Sequence, residues 1–159
     1  MKVTILCVGK IKEKYLIDAI GEYEKRLKPY VKFEILRIQD EKAPETLSDA
    51  ENDQIKSKEG KKILAKLNER DFVVALCIDG QQLSSNRFSE FVSMQMISGI
   101  HNLVFVIGGS LGLSTEVTAR SNFKLSFSKM TFPHQLMQLI LIEQIYRSFK
   151  IIRHEPYHK

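Results

Sequence analysis

The chain has no tryptophan, and only two cysteines and four prolines among its 159 residues. Each scarcity excludes something. Two cysteines are fewer than disulfide-stapled secreted folds use, and Cys7 and Cys77 each sit inside an apolar, strand-like run. The expectation is two buried free thiols in a reducing cytosol. No run of about eighteen apolar residues occurs, so no helical membrane span is expected. The N-terminus MKVTILCVGKIKEK lacks an apolar stretch followed by a small-residue cleavage site. A cytoplasmic protein, neither exported nor membrane-spanning, is expected. With 43% hydrophobic and 27% charged residues, the composition is that of a globular chain rather than a disordered one. No repeat, linker or low-complexity stretch interrupts it, and residues 1–159 read as a single domain.

What is present is unevenly placed. The formal net charge is +5. Acidic and basic residues balance up to residue 116, so the whole excess lies after it, in Arg120, Lys124, Lys129, Arg147, Lys150, Arg153 and Lys159 against Glu143 and Glu155. Charge concentrated in this way suits a polyanion-binding surface, or else a solubilising face.

Apolar runs at Val3–Val8, Phe33–Ile38, Phe72–Ile78 and Leu103–Ile107 read as strands, with a short strand near Lys124–Phe127. The continuous runs suit strands covered on both faces. Between them lie helical patterns: Lys12–Leu27, a helix opened by the Ser48/Glu51 capping box, one capped by Ser84 or Ser85, and a short one from Ser114. The turn pair Asp79-Gly80 is expected to end the middle strand. Pro133 fits the first turn of a last helix from His134 to about Ile152, which is apolar on most sides and so is expected to pack against a second subunit. Strands alternating with helices argue an α/β fold with a mostly parallel sheet flanked by helices.

Three motifs bear on chemistry. Ile107–Gly112 (IGGSLG) follows a strand and is either a ligand loop or a tight turn, since glycine admits both close approach and positive φ. It lacks the G-x-G-x-x-G spacing of a dinucleotide fold, which disfavours an oxidoreductase. His154–His158 spells H-E-x-x-H, but a zinc protease needs both histidines on one helix face and Pro156 forbids that helix, so no metal is expected. Tyr157 and His158 lie in a polar tail, where an aromatic without a core to join is a candidate to stack on a base. The alternative is a frayed end. His134 reads more readily as a capping or packing residue than as a catalyst.

Taken in order, the segments VGKIKEKY, DGQQLSS, FVIGGSLGL, LSFSKMTFPHQL, IEQIYRSFKI and PYHK resemble the ribosomal RNA large-subunit methyltransferase H family, minimal members of the SPOUT, or trefoil-knot, methyltransferases. The resemblance covers essentially the whole chain. It implies a C-terminal trefoil knot, against the usual rule that chains do not knot. It implies that the glycine loop with Gly108, the segment Phe127, Ser128, Lys129, Met130, Thr131 and Phe132, and Leu76 hold S-adenosylmethionine. It implies a homodimer packed through the last helix. The implied substrate is 23S ribosomal RNA in the ribosome, methylated at N3 of a pseudouridine. A SPOUT enzyme acting on tRNA would usually carry an added domain, for which there is no room here. A non-enzymatic ribosome-binding factor with a relic pocket is the other alternative.

The implied chemistry sets requirements. The sulfonium makes the methyl electrophilic, so positioning supplies much of the rate. N3 lies between two carbonyls and attacks only once its proton has left, which calls for a base or a cationic surround. His158 is the candidate base, Arg153 or Arg147 the anion stabiliser, and Tyr157 the residue positioning the nucleotide.

Overall fold

The computed structural model describes residues 1–159. In chain order the elements are β1 (Lys2–Val8), α1 (Lys14–Leu27), β2 (Lys32–Ile38), α2 (Asp49–Leu64), β3 (Phe72–Gln82), α3 (Ser85–Ile97), β4 (Asn102–Ile107), α4 (Thr115–Arg120), β5 (Phe123–Ser126) and α5 (His134–Ile152). The sheet runs β2-β1-β4-β3-β5 with every pairing parallel. All strand C-termini therefore share one edge, where ligands of parallel sheets bind.

Side chains alternate across a strand, and the central strands use both faces. Val3, Ile5 and Cys7 of β1 and Leu103, Phe105 and Ile107 of β4 join the larger core cluster with α1, α3 and α5. Leu6 and Val8 of β1 and Val104 and Val106 of β4 join the smaller one with Ile63 of α2 and Val117 of α4. Helices thus cover both faces. The capping box forms as expected: Ser48 accepts from the Glu51 N–H while the Glu51 carboxylate accepts from the Ser48 backbone.

Two expectations need correction, for the end of β3 and for Cys77, and the tail and the apolar face of α5 are more fully packed than their sequence suggests. Asp79-Gly80 does not end β3; the strand runs on to Gln82, with a register shift against β5 between Leu76 and Gln81. Gly80 permits this, because a Cβ there would stand 2.7–2.9 Å from the backbone of Lys124 and Leu125. Cys7 is buried, but Cys77 is only half-buried. The tail after α5 is not frayed: Glu155 N–H bonds to the Lys150 carbonyl, and Tyr157 packs against the larger core cluster. Most of the apolar surface of α5 is covered within the chain. Leu141, Ile142, Ile145 and Phe149 are buried there, which leaves Leu136 and Ile140 among its half-exposed residues. No helix is long and apolar enough to cross a membrane.

Candidate active site

A cavity of about 710 Å³ opens at the C-terminal edge of the sheet. Leu76, Cys77 and Ile78 of β3, Ile107 of β4 and Leu125 of β5 form its walls, and the loops after β4 (Gly108–Leu113) and β5 (Phe127–Pro133) close over it. His134 and Met137, from the first turn of α5, complete the lining. The size is within the range that holds a nucleoside-sized ligand.

The glycine loop is tight. Gly109 and Gly112 bridge to each other, and Gly112 has φ +84°. A Cβ on Gly108 would lie 2.7 Å from the Gly112 carbonyl carbon. Its glycine is thus required by the loop's own backbone, a steric reason distinct from the expected close approach of a ligand. Glu59, 5% exposed, backs the loop from α2, its carboxylate 3.1 Å from where a Gly109 Cβ would stand. It accepts the Glu41 N–H at 3.0 Å. Burial pushes its carboxyl above the ordinary range, and Asp40 and Glu41 add to that.

Of the residues expected to hold the cofactor, Leu76, Gly108, Phe127, Ser128, Met130, Thr131 and Phe132 line this cavity; Lys129 does not, and its side chain is exposed. The lining includes no Asp, Glu, Lys or Arg. It offers apolar walls, backbone polar groups and the hydroxyls of Ser110, Ser128 and Thr131, a donor set for a nucleoside with little net charge rather than a polyphosphate. S-adenosylmethionine fits that description. One turn beyond His134, Gln138 does not line the cavity but is entirely enclosed, with neither amide atom partnered. Cys77, His134 and Met137 were missed as lining residues. Their types carry no ligand signal, and only the strand ends and the α5 turn bring them together. Partial burial and the neighbouring Asp79 push the Cys77 thiol up to about 11, which keeps it un-ionised at neutral pH.

The four expected catalytic residues gather elsewhere. Tyr157 donates to the Glu143 carboxylate at 3.0 Å, and its hydroxyl lies 3.3 Å from that of Tyr23. Its ring meets Tyr146 edge-on at 5.0 Å and carries the Arg147 guanidinium 4.7 Å from its centroid. Tyr157 therefore has a core to join, against the sequence reading of a free stacking aromatic. Burial, reinforced by those hydrogen bonds, raises its pKa, so it is no base. Arg147 also binds Glu143 at 2.5 Å, which holds it firmly protonated. Its Nη1 lies 3.2 Å from His158 Nδ1. Arginine has only donors, so Nδ1 accepts and the ring's proton sits on Nε2, in an exposed side chain. Arg153 lies over the Tyr30 ring at 4.6 Å. Lys150, with Glu155 at 2.6 Å, anchors the tail to α5. That ion pair and the contact with Tyr30 lower the Glu155 pKa.

The cavity and this cluster occupy opposite ends of α5. Met137 and Arg147 are ten residues apart, about 15 Å along a helix axis. Within one chain the tail does not reach the cavity.

Two kinds of comparison bear on this arrangement. The family model described as "Predicted SPOUT methyltransferase" matches residues 1–158. Proteins named ribosomal RNA large subunit methyltransferase H from Enterococcus faecalis and from Carboxydothermus hydrogenoformans are 58% and 57% identical to the chain over 159 residues, covering all of both chains in each case.

Proposed function

The chain belongs to the SPOUT methyltransferase family, in its ribosomal RNA large subunit methyltransferase H branch, and from that premise we propose how its residues methylate N3 of a pseudouridine in 23S ribosomal RNA. It is an S-adenosylmethionine-dependent enzyme. The observation that carries the reading is the full-length match together with an uncharged cavity framed by Gly108–Leu113 and Phe127–Pro133. The segment after β5 lines the same cavity as the glycine loop, and α5 then packs on α1 and α3; on this reading that passage is the threading of the trefoil knot.

S-adenosylmethionine, when bound, supplies an electrophilic methyl group. Leu76, Ile107, Leu125 and Phe127 provide the apolar walls of its site, while the glycine loop and the 128–131 backbone offer hydrogen bonds. The pseudouridine must meet that site with N3 deprotonated. The cationic cluster for this is the tail: Arg147 and Arg153, with His158 presenting Nε2–H, favour the N3 anion. In this tautomer His158 donates a hydrogen bond to the anion, and the N3 proton leaves to solvent. Tyr157, fixed by Glu143 and Tyr146, holds the tail in place.

Since the tail lies about 15 Å along α5 from the lining of its own cavity, the site is composite: the tail of one subunit serves the cavity of its partner. Leu136 and Ile140, half-exposed on α5, supply apolar surface for a homodimer interface. The enzyme works in the cytoplasm, where its ribosomal substrate is. The deciding experiment is mass mapping of nucleosides in 23S rRNA from cells lacking the gene. N3-methylpseudouridine should be absent and return with the wild-type gene; its persistence overturns the assignment.

A further inference from the structure

We propose that the loop between β1 and α1, residues 9–13, is a phosphate-gripping rim of the cavity, with Lys10 and Lys12 holding the backbone of the substrate RNA. This rests on the reading of the protein as an RNA methyltransferase and extends it to a surface outside the basic C-terminal quarter. The loop leaves β1 at the same sheet edge as the cavity. Gly9, with φ +86°, turns the chain. A Cβ there would sit 3.7 Å from Nε2 of His134, a cavity-lining residue. The Lys12 N–H bonds to Gln135 Oε1 of α5 at 3.3 Å. Ile11, between the two lysines, packs against the larger core cluster. The loop is therefore pinned to the helix turn that completes the cavity, and its anchor leaves Lys10 and Lys12 exposed on either side.

Neither lysine forms an ion pair, unlike Lys14, which is tied to Asp18. Across the cavity, Lys129 is likewise exposed and unpaired, the one residue of 127–134 that does not line the cavity. Three free ammonium groups thus stand around an uncharged opening. The loop after β2 carries Asp40, Glu41 and Glu45 against Lys42, and Asp40 lies 3.9 Å from where a Gly9 Cβ would stand, so an RNA strand would keep away from the β2 side and pass over Lys10 and Lys12 toward Lys129. Ammonium groups on short, anchored loops suit phosphates, which position a nucleic acid without reading its sequence. The charge count along the chain hides this rim, because carboxylates balance the lysines over residues 1–116 as a whole; of these, Glu13 lies in the same loop and Asp40 within 4 Å of where a Gly9 Cβ would stand.

The test uses ribosomes from a strain lacking the methyltransferase, with methyl transfer followed at several salt concentrations. Lys10→Gln with Lys12→Gln should raise KM for ribosomes about tenfold at moderate salt and reduce the log–log salt slope by roughly 0.7–0.9 per lysine. The rate at saturating ribosomes and the calorimetric affinity for S-adenosylmethionine should stay near wild type, which also establishes that the variant is folded. Lys66→Gln with Arg70→Gln, at the opposite edge of the sheet, removes the same charge and should change the slope little. A wild-type KM and slope in the Lys10/Lys12 variant overturns the rim while leaving the methyltransferase reading intact. An equal loss in the Lys66/Arg70 control overturns it too, since net charge would then explain the effect. A wild-type protein that neither binds nor methylates these ribosomes at low salt overturns both readings.

Discussion

The two ends of α5 are built on opposite principles. At its start, Pro133, His134 and Met137 meet glycines, hydroxyls and apolar strand ends, and the cavity they enclose has no charged lining residue. At its end, Glu143 is shared by Arg147 and Tyr157, and Lys150 holds Glu155. The first end is shaped by the close approach of backbone to backbone, the second by charge-assisted hydrogen bonds between side chains. A nucleoside cofactor of small net charge needs shape and backbone polarity; an anion forming on a base needs fixed cations nearby. On the proposed reading one helix carries both halves of the chemistry, and it holds Met137 and Arg147 about 15 Å apart along its axis.

The comparison breaks most sharply if the two ends already work together in one subunit. Gly108→Arg destroys the cavity end, and Tyr157→Ala with His158→Ala destroys the tail. Each variant alone should be inactive, the tail variant still binding S-adenosylmethionine. Co-expressed, about half the molecules are heterodimers with one intact composite site each, so activity should return to roughly a quarter of wild type. A mixture that stays dead places both halves of the site in the same subunit.

A smaller effect sharpens the steric account of the cavity end. Gly108→Ala puts a methyl 2.7 Å from the Gly112 backbone, so the loop must open. Affinity for S-adenosylmethionine should fall by about tenfold or more, roughly 1.4 kcal/mol. Gly99→Ala is the reference: its φ is +74° but nothing lies within 4 Å. It should cost about 1 kcal/mol of stability and leave the affinity alone. Calorimetry of both variants decides whether crowding or backbone strain matters at the loop.

The smallest expected effect concerns Glu59, the one buried carboxylate behind the glycine loop. Its raised pKa means that the folded protein disfavours its ionised form. Below the ordinary value of 4.5 the group is neutral in both folded and unfolded chains and costs nothing. As pH rises through and beyond the folded value, both states ionise and the penalty is fully present. Glu59→Gln keeps an acceptor for the Glu41 N–H and removes the charge. Urea unfolding should find the variant more stable than wild type at pH 7, with the gap closing at pH 4. A gap of the opposite sign would mean that the carboxylate braces the loop through its charge.

The sequence by itself determined the elements and the sheet's character. Apolar runs of strand length with helical patterns between them leave few arrangements other than a parallel sheet covered on both faces. Ser48 with Glu51, and Pro133 before His134, marked helix starts because capping and proline chemistry are local. The motifs that resemble the family also lie along the chain, so the glycine loop, Phe127–Phe132 and the closing PYHK were legible there. Only the tertiary structure decided what those segments touch. Gly80 reads as a turn signal, yet the approach of the 124–125 backbone makes it a kink within a longer strand. Tyr157 reads as a free aromatic, yet Tyr146, Tyr23 and Glu143, distant or on another element, give it a core. Lys10 and Lys12 vanish in a charge count, yet they become a rim once β1 ends beside α5. In each case the deciding contact joins residues far apart in sequence or on different elements, and local chemistry carries no information about such a contact until the sheet has fixed which strand ends stand together.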